Sequence, residues 1–371
     1  MKVMVIGLRG IPGIQGGVET HVEHLYPLLI KLGCEVEVIA RSSSIPSDHP
    51  RNWKGIEIHR LWSPKTTGVE SFVHTFLAVL YAALRRPDIL HIHAIGPAIM
   101  TPLARILGLT VVVTHHGPDY DREKWNKSAK KILFLGEKWG MEWSNQRIVI
   151  SKVIQKLVNN KYDKDSALIP NGVAVNKIPN TKSCLDKFKL SPGKYVLQVS
   201  RLVPEKRQLD LIHAFLEADI PEWKLVLVGK LNPNENYTQK LLLEAQNNNN
   251  IVLTDFQTGL SLQELLAHAG IFVLPSSHEG LPIAMLEALS FGLRVVASDI
   301  PANLEVELPE DQYFSLGNVN QLATILQFFA NKPLTKNEKK IILDRVEERY
   351  NWQSISKQTL TVYQKCDRKN Q

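Results

Sequence analysis

Residues 271–290 have the sequence IFVLPSSHEGLPIAMLEALS, in which a short apolar run leads directly into a helical pattern. Ile271–Leu274 is typical of a buried strand, and Pro282 is typical of the first turn of a helix, where its missing N–H needs no partner. Glu279 precedes the helix, and Glu287 lies about one and a half turns into it. A strand that leads into a helix is the repeating unit of a parallel sheet covered by helices. The stretch therefore predicts an α/β fold with two carboxylates at the carboxyl edge of the sheet.

The same alternation of strand and helix patterns occurs in two series along the 371 residues. The expected strands are Lys2–Ile6, Cys34–Ala40, Asp88–His93, Thr110–Thr114 and Arg147–Ile150 in the first series, and Tyr195–Ser200, Lys224–Val228, Asn250–Leu253, Ile271–Leu274 and Arg294–Ala297 in the second. A turn signal at Ile169–Val173 separates them. We predict two doubly wound parallel-sheet domains, residues 1–175 and 176–350, followed by a last helix within 351–371. Two such sheets that face each other place a ligand cleft at their carboxyl edges.

Composition narrows the class of protein. The 44 Lys and Arg against 37 Asp and Glu give a net charge of +7, which favours anionic partners such as nucleotide phosphates or anionic lipid. No nucleic-acid-binding motif is present, so we do not expect nucleic acid as a partner. The three cysteines lie far apart in sequence, which fits a reducing cytoplasm and not a disulfide framework. The longest apolar stretch, Phe72–Leu84, is shorter than the ~20 residues of a bilayer span, and no secretory signal precedes it, so we expect a cytoplasmic protein.

The segment after the strand at 195–200 offers two cations. Arg201 and Lys206 are expected at the carboxyl edge of that strand, where a planar guanidinium fork and a compact ammonium suit phosphate oxygens. Together they can neutralise a departing nucleotide diphosphate without a metal. The alternative is a surface salt bridge between Glu205 and one of the two cations.

The helix that begins near Pro282 extends this site. Free backbone N–H groups at Ile283 and its neighbours can hold a diphosphate. Glu279 is placed to accept hydrogen bonds from sugar hydroxyls, and Glu287 from the two hydroxyls of a ribose. The alternative is a capped helix with two solvated acids.

Two further features lie in the first series. Gly16 and Gly17 stand between the first strand and its helix, where they allow the backbone to approach a phosphate or sugar closely; a tight turn is the equal alternative. His115 and His116 end an apolar strand. Because neighbours on an extended chain point to opposite sides, we expect one of them to reach the site and the other to be structural.

Asp119 and Asp121 form an Asp-x-Asp pair that binds a metal in another architecture of sugar transferase. Here they precede a helical pattern over Arg122–Trp143. We therefore interpret them as N-capping and helix-dipole residues, and we expect no metal site.

Taken together in their order along the chain, these motifs resemble glycosyltransferase family 4. They comprise the Glu279/Glu287 and Arg201/Lys206 pairs, the Gly16–Gly17 loop, the His116–Gly117 step, the turn at Asn171–Gly172 and the closing helix from Trp352 to Tyr363. The resemblance covers nearly the whole chain. The opening Gly7–Pro12 is also similar to bacterial transferases that build capsular, exopolysaccharide or O-antigen repeat units.

The resemblance implies the GT-B fold, with two Rossmann-like domains and a deep interdomain cleft. The acceptor would bind to residues 1–175 and the nucleotide-diphosphate sugar to residues 176–350, and the last helix would cross back to the first domain. The reaction would retain the anomeric configuration, need no cofactor or metal, and use a glycan or lipid-linked acceptor.

The resemblance also implies roles for individual residues. Contact with the transferring sugar and diphosphate would fall to His116, Arg201, Lys206 and Glu279, and donor binding to Gly16, Gly17, Asp255, Phe256, Gly280, Leu281, Pro282, Ile283 and Glu287. Asp255–Phe256 corresponds to the loop that lines the base pocket, where the family often has glycine, and this departure leaves the base open.

Two other functions remain open at this stage. A sugar-nucleotide epimerase can share the architecture, but no acid/base set for chemistry at the sugar ring stands out. A non-catalytic sugar-binding scaffold would not need the intact Arg201/Lys206 and Glu279/Glu287 pairs.

The segment 121–144 predicts a helix with two faces. The apolar face would contain Trp125, Ala129, Ile132, Gly136, Trp139 and Trp143, and the basic face Lys124, Lys127, Lys131 and Lys138. A core helix with solvated lysines is one interpretation. The other is a peripheral docking face for an anionic membrane, where a lipid-linked acceptor would be met.

Overall fold

The computed structural model describes residues 1–66, 69–121, 126–175 and 178–367. The chain divides into two compact units, one formed by Met1–Gly172 with Trp352–Gln371 and the other by Val173–Asn351. The roles expected for the two domains stay predictions.

The first unit contains an eight-stranded sheet with the order β3-β4-β2-β1-β5-β6-β7-β8, in which β3 and β4 pair antiparallel and the other neighbours pair parallel. Its strands are β1 (Lys2–Ile6), β2 (Glu35–Arg41), β3 (Asn52–Trp53), β4 (Ile56–Leu61), β5 (Ile89–His93), β6 (Val111–His115), β7 (Gln146–Val149) and β8 (Ala167–Leu168). Its helices are α1 (Gly17–Lys31), α2 (Val69–Arg85), α3 (Thr101–Ile106), α4 (Lys127–Trp143) and α5 (Lys152–Tyr162). Short 3₁₀ turns cover Pro97–Met100 and Asp119–Asp121.

The second unit contains a six-stranded parallel sheet with the order β11-β10-β9-β12-β13-β14. Its strands are β9 (Tyr195–Val199), β10 (Lys224–Val228), β11 (Ile251–Leu253), β12 (Ile271–Leu274), β13 (Arg294–Ser298) and β14 (Tyr313–Phe314). Its helices are α6 (Ser183–Lys187), α7 (Gln208–Ala218), α8 (Asn236–Asn247), α9 (Gly259–His268), α10 (Ile283–Ser290), α11 (Pro301–Leu304), α12 (Val319–Ala330) and α13 (Lys336–Tyr350), with 3₁₀ turns at Pro204–Lys206 and Glu310–Gln312.

The last helix, α14 (Trp352–Asp367), belongs to the first unit, where it packs against α1. Trp352 covers Gly172 so closely that a Cβ atom at Gly172 would clash with the indole ring. Tyr363, further along α14, is fully buried in the core beside Tyr26 of α1. Glycine at 172 is therefore a packing requirement of the returning helix.

The two faces of the first sheet carry different helices. Right-handed crossovers place the helices that lead from β4 to β5 and onward to β8 on one face, and the helix between β1 and β2 on the other. In agreement, α3 packs against both α2 and α4, whereas α1 packs against α14. Helices α2, α3 and α4 thus form one continuous layer. None of the described helices combines the length and the apolar character that a bilayer span requires.

The strands expected from the apolar runs are confirmed, with ends that differ by one residue at most. The sequence patterns did not predict β3, β8 and β14, which are two residues long and therefore too short to show any periodicity. They also did not predict β4 or the strongly charged helix α13.

Helix α4 begins at Lys127, and the capping role expected for Asp119 and Asp121 is wrong. Asn126 caps the helix instead, because its Oδ1 accepts a hydrogen bond from the Ala129 amide at 2.9 Å. The two aspartates belong to a separate 3₁₀ turn. Lys124 and Trp125, which we expected on this helix, lie outside the described residues.

The apolar face expected on α4 is wrong in part. The helix buries Gly136, Glu137, Gly140 and Met141, whereas Ile132 and Trp143 are 50% and 47% exposed. A Cβ atom at Gly136 would clash with the carbonyl oxygen of Ile95, and one at Gly140 would lie 2.8 Å from the Cβ of Ala98. The two glycines let α4 approach the segment at Ile95–Ala98 closely, and they lie on the face of the helix that is buried.

This close approach predicts that Gly136→Ala destabilises the protein, although alanine favours a helix by about 1 kcal/mol over glycine. The added methyl meets a backbone carbonyl that cannot rotate away, and we expect a net loss of about 1–3 kcal/mol in the free energy of unfolding in urea. The matched control is Ser128→Ala on the exposed face of α4, which should change stability by less than about 0.5 kcal/mol. Equal or greater stability of Gly136→Ala would contradict the packing of α4.

Candidate active site

The site in the second unit lies where the sheet order reverses. Strand β9 is flanked by β10, which follows it in sequence, and by β12, so the loops after β9 and β12 leave the sheet at its topological switch point. Open parallel sheets bind ligands at this point. The backbone amide of Ser277 donates a hydrogen bond to the Glu205 carbonyl at 2.9 Å, which ties the two loops together. These loops carry Arg201, Lys206 and Glu279.

Lys206 and Glu279 form an ion pair between Nζ and Oε1. Their side chains are only 14% and 10% exposed, so solvent screens the pair far less than a surface salt bridge. Two residues that the sequence analysis assigned to different parts of a ligand, Lys206 to phosphate oxygens and Glu279 to sugar hydroxyls, are thus in direct contact. The pair holds the Lys206 ammonium and the Glu279 carboxylate, which can accept hydrogen bonds from hydroxyls, at fixed positions at the sheet edge.

Arg201 lies 3.7 Å from the buried carboxylate of Glu205. This separation is an ion pair and is too long for a good hydrogen bond. The salt bridge with Glu205 that we considered as an alternative is therefore present. The Arg201 side chain is also 35% exposed and so accessible to a ligand.

The helix after Glu279 begins one residue later than expected. Pro282 is the N-cap residue, with φ −75° and ψ 106°, and the first helical residue of α10 is Ile283. The amides of Ile283 and Ala284 are in the first turn, where an α-helix provides no carbonyl acceptor. Gly280, Leu281 and Pro282 form the turn that leads into this helix terminus.

Glu287 lies on α10 at its fifth residue. Burial raises the pKa of its carboxyl to about 7, well above the ordinary value. Within the described part of the chain, the carboxyl has no hydrogen-bond or ion-pair partner. A desolvated acceptor of this kind suits ligand hydroxyl donors, because pairing with them would offset the cost of its burial.

The loop after β11 explains one departure from the family. Asp255 adopts φ 60°, the left-handed conformation that favours glycine and that aspartate tolerates better than most residues. Its Oδ1 accepts a hydrogen bond from the Leu231 amide at 2.8 Å. Phe256 follows it and is half-buried. Glycine would adopt this turn because its φ is unrestricted. Asp255 adopts the same turn with a side-chain hydrogen bond to the Leu231 amide.

The corresponding edge of the first sheet carries Gly16 and Gly17. Gly16 is the N-cap of α1 and Gly17 its first residue. A Cβ atom at Gly16 would clash with the carboxylate of Glu19, which is buried and accepts hydrogen bonds from the Arg9 amide and Nε at 3.1 and 3.0 Å. Glycine at 16 is therefore required by the packing of this loop itself.

His115 and His116 point to different surroundings, as expected for neighbours at the end of a strand. His115 is fully buried and pairs with Glu137 at 2.9 Å. Burial alone would raise the pKa of Glu137, but hydrogen bonds from His115, Lys161 and Tyr162 lower it to about 2. His115 is thus the structural member, since it ties β6 to α4. His116 instead places its Nε2 2.9 Å from Nδ1 of His93.

His116 belongs to a histidine cluster, His21, His91, His93 and His116, that the sequence analysis missed. Neighbouring rings in the cluster have centroids 4.2–5.7 Å apart. The hydroxyl of Tyr26 lies 2.8 Å from His91 Nδ1 and 2.7 Å from His93 Nε2. A signal for the cluster was present, because His91 and His93 alternate on one strand and therefore share a face of the sheet.

Burial keeps the histidine cluster neutral. It lowers the pKa of His91 to about 3 and of His21 to about 4, and it lowers the pKa values of His93 and His116 well below the ordinary range. At neutral pH, His116 can donate or accept a hydrogen bond, but it does not contribute a positive charge.

Two family models match the chain, one in each half. The model described as Glycosyltransferase Family 4 matches residues 15–177, and the model described as Glycosyl transferases group 1 matches residues 186–342.

The chain belongs to glycosyltransferase family 4.

Known proteins resemble this transferase over most of its length. The MMP α-(1→4)-mannosyltransferase of Mycolicibacterium hassiacum is 27% identical over an alignment that covers 95% of each chain. The GDP-mannose:cellobiosyl-diphosphopolyprenol α-mannosyltransferase of Xanthomonas oryzae pv. oryzae is 27% identical over an alignment that covers 59% of this chain and 58% of the relative. The structure of sucrose-phosphate synthase from Thermosynechococcus elongatus superposes with a TM-score of 0.84 at 20% identity and covers 98% of both chains. The expected GT-B fold is confirmed.

The neutral histidine cluster predicts that the transferase loses stability in acid. Below pH 6.5 the unfolded chain binds protons at His21 and His91, while the folded chain does not until about pH 4 and 3. Stability should therefore fall as the pH drops from 7 to 5, by about 2 kcal/mol for each of these histidines. Urea unfolding at a series of pH values measures this slope.

The variant His91→Gln should show a shallower slope, whatever its stability at pH 7. The matched control is Val38→Ala, which opens a cavity in the same core, removes no titratable group and should keep the full slope. An unchanged slope in His91→Gln would show that His91 is protonated alike in both states.

Proposed function

We propose that this protein is a retaining glycosyltransferase that moves a hexose from a nucleotide-diphosphate sugar to a lipid-linked glycan during surface polysaccharide synthesis, at the cytoplasmic face of the membrane. The observation that carries the proposal is the Lys206–Glu279 pair at the switch point of the second sheet, beside the N-terminus of α10. The Xanthomonas relative supports the acceptor class, since by its name it transfers mannose to a diphosphopolyprenol-linked glycan.

The leaving group in this reaction is an anion, and the second unit offers three groups that stabilise it. Lys206 and Arg201 carry positive charge, and the first-turn amides of α10 point their dipoles toward a phosphate. Preorganised donors of this kind act where charge develops in the transition state. They also remove the need for a metal, which we propose is absent from the reaction.

The proposed step exchanges one bond for another at the anomeric carbon. The bond from that carbon to the donor phosphate breaks, and the acceptor oxygen bonds to the same face of the sugar. A donor phosphate oxygen takes the acceptor proton, so that no carboxylate nucleophile is required. The sequence offers no obvious carboxylate for that role.

The remaining residues hold the donor. We assign Glu279 to a sugar hydroxyl, with one carboxylate oxygen holding Lys206, and Glu287 to the ribose hydroxyls. Gly280, Leu281, Pro282 and Ile283 would surround the diphosphate, and Asp255–Phe256 the base. His116, neutral at the edge of the first sheet, would bond to the sugar or the acceptor. A thermal-shift screen of nucleotide sugars identifies the donor, since a ligand at ~100 times its Kd adds about 2.7 kcal/mol of stability.

Removal of either cation should nearly abolish transfer while the fold survives. Arg201→Ala or Lys206→Ala takes away one donor that stabilises the leaving diphosphate, and such a loss costs about 10²–10³ in rate. The matched control is Lys194→Ala, which removes an exposed lysine of the same unit that pairs with Glu222. Nucleotide release coupled to acceptor glycosylation measures the rate, and circular dichroism checks the fold. Wild-type turnover in a folded double variant would overturn the assignment.

Transfer should continue in excess EDTA. Two cations and a helix N-terminus already offset the charge of the diphosphate. The test is the initial rate of transfer with EDTA, with Mg²⁺ and with Mn²⁺. Loss of activity in EDTA that either metal restores would contradict the proposed mechanism.

A further inference from the structure

Helix α2 exposes a row of large apolar side chains. They are Val69, Phe72, Phe76, Leu80 and Leu84, exposed by 51%, 48%, 40%, 37% and 85%. The opposite face of the helix buries His74, Thr75, Ala78, Val79 and Ala82 against the sheet. At 100° per residue the five exposed positions fall within about 120° of arc, so they form one continuous apolar stripe. Soluble proteins scatter exposed apolar residues singly, and a contiguous patch marks a docking surface.

The exposed charges of helix α2 and of the residue that follows it are positive. The single acidic residue of α2, Glu70, turns inward, where Ser43 Oγ donates to it at 2.5 Å and Arg41 lies 3.8 Å away. Arg85 and Arg86 at the other end of the helix are both exposed. Two exposed arginines against the one exposed aspartate that follows them, Asp88, leave this end of the helix with a net positive charge, which suits an anionic partner.

The neighbouring helices continue this surface. Helix α3 packs against both α2 and α4 in the same layer, and its Ile106 is 74% exposed. On α4, Ile132 and Phe134 are 50% and 45% exposed. They stand among three exposed lysines, Lys127, Lys131 and Lys138. Apolar side chains set among cations are typical of helices that lie in a membrane interface.

The topology places one end of the stripe at the same edge of the first sheet as His116. Helix α2 follows β4, so its first residues lie at the carboxyl edge of the first sheet. His116 follows β6 and lies at the same edge, because parallel strands end on one side. Val69 and Phe72 are therefore the members of the stripe on the side of the sheet where an acceptor would react.

We propose that the α2 stripe inserts into the interface of an anionic lipid bilayer, with the lysines of α4 resting on the headgroups. The proposal rests on the function above and specifies how its lipid-linked acceptor is reached. A second copy of this chain fits the surface less well. In a symmetric pair the same patch meets itself, which would bring the arginines and lysines of both copies together.

Sedimentation with vesicles tests the proposal in the absence of donor and acceptor. The full chain should bind vesicles of phosphatidylcholine mixed with phosphatidylglycerol, and should bind phosphatidylcholine alone much more weakly. Replacing Phe72, Phe76 and Leu84 with serine should lower the partition coefficient by about tenfold for each side chain. Replacing Lys127, Lys131 and Lys138 with glutamine should lower it by about fivefold for each lysine.

The second unit offers a matched control for the apolar substitutions. Leu243, Phe328 and Ile341 are 57%, 51% and 58% exposed, and their replacement with serine should leave vesicle binding unchanged. Equal loss of binding in the control variant and the α2 variant would overturn the proposal, as would unchanged binding in the α2 variant. Sedimentation equilibrium without lipid tests whether a second copy of the chain binds the stripe instead. A dimer that the α2 substitutions dissociate would assign the stripe to that second copy.

Transfer to a short-chain, water-soluble acceptor separates this proposal from the proposed function. The α2 variant should keep wild-type turnover with that acceptor and lose turnover with an acceptor embedded in vesicles. Absence of transfer in the wild type, together with vesicle binding that depends on α2, would reject the transferase reaction and keep the docking surface.

Discussion

Parallel strand pairing is the constraint on which the rest of this structure depends. Parallel strands have to be joined by crossovers, so helices follow most strands, and the loops that leave the strand ends emerge along one edge of each sheet. In the second sheet this edge brings the loops after β9 and β12 together, although Lys206 and Glu279 are 73 residues apart in sequence. The hydrogen bond from Ser277 to Glu205 then fixes one loop against the other. The site is a consequence of strand order as much as of the residues it contains.

The candidate site residues of the two units differ in charge. In the second, the Lys206 side chain is 14% exposed and contacts its counter-ion Glu279, so a cation is held at the sheet edge. In the first, the hydrogen-bond partners of the histidine cluster among the described residues are hydroxyls, an amide and other histidines, so burial leaves the rings neutral. Cations suit a diphosphate that leaves with negative charge, whereas neutral rings suit the hydroxyls of a sugar or an acceptor.

The return of the chain at Trp352 links distant parts of the first unit. The hydroxyl oxygen of Tyr363 on α14 lies 2.6 Å from His91 Nδ1. The indole of Trp352 packs on Gly172 and stacks with the ring of His24. A helix that follows the entire second unit thereby completes the core in which the histidine cluster lies. The stability of that cluster depends on residues at both ends of the sequence.

Local sequence patterns were enough to predict the class of fold, the two series of strands, and the motifs at the strand ends. Apolar runs such as Ile271–Leu274 carry enough periodicity to predict elements, and the order of the motifs predicts the family. Only the tertiary structure decided which partners these residues have. The Lys206–Glu279 pair, the histidine cluster, and the inward face of α4 depend on contacts between segments far apart in sequence. Asn126 caps α4 in place of the aspartates, because the helix begins at Lys127 and the aspartates belong to a separate 3₁₀ turn. Gly136 lies on the inward face of α4, where the carbonyl oxygen of Ile95 leaves no room for a Cβ atom. The spacing of apolar residues in the sequence indicates whether an element is a helix or a strand. Which face of that element is buried depends on the shape of the segments that pack against it.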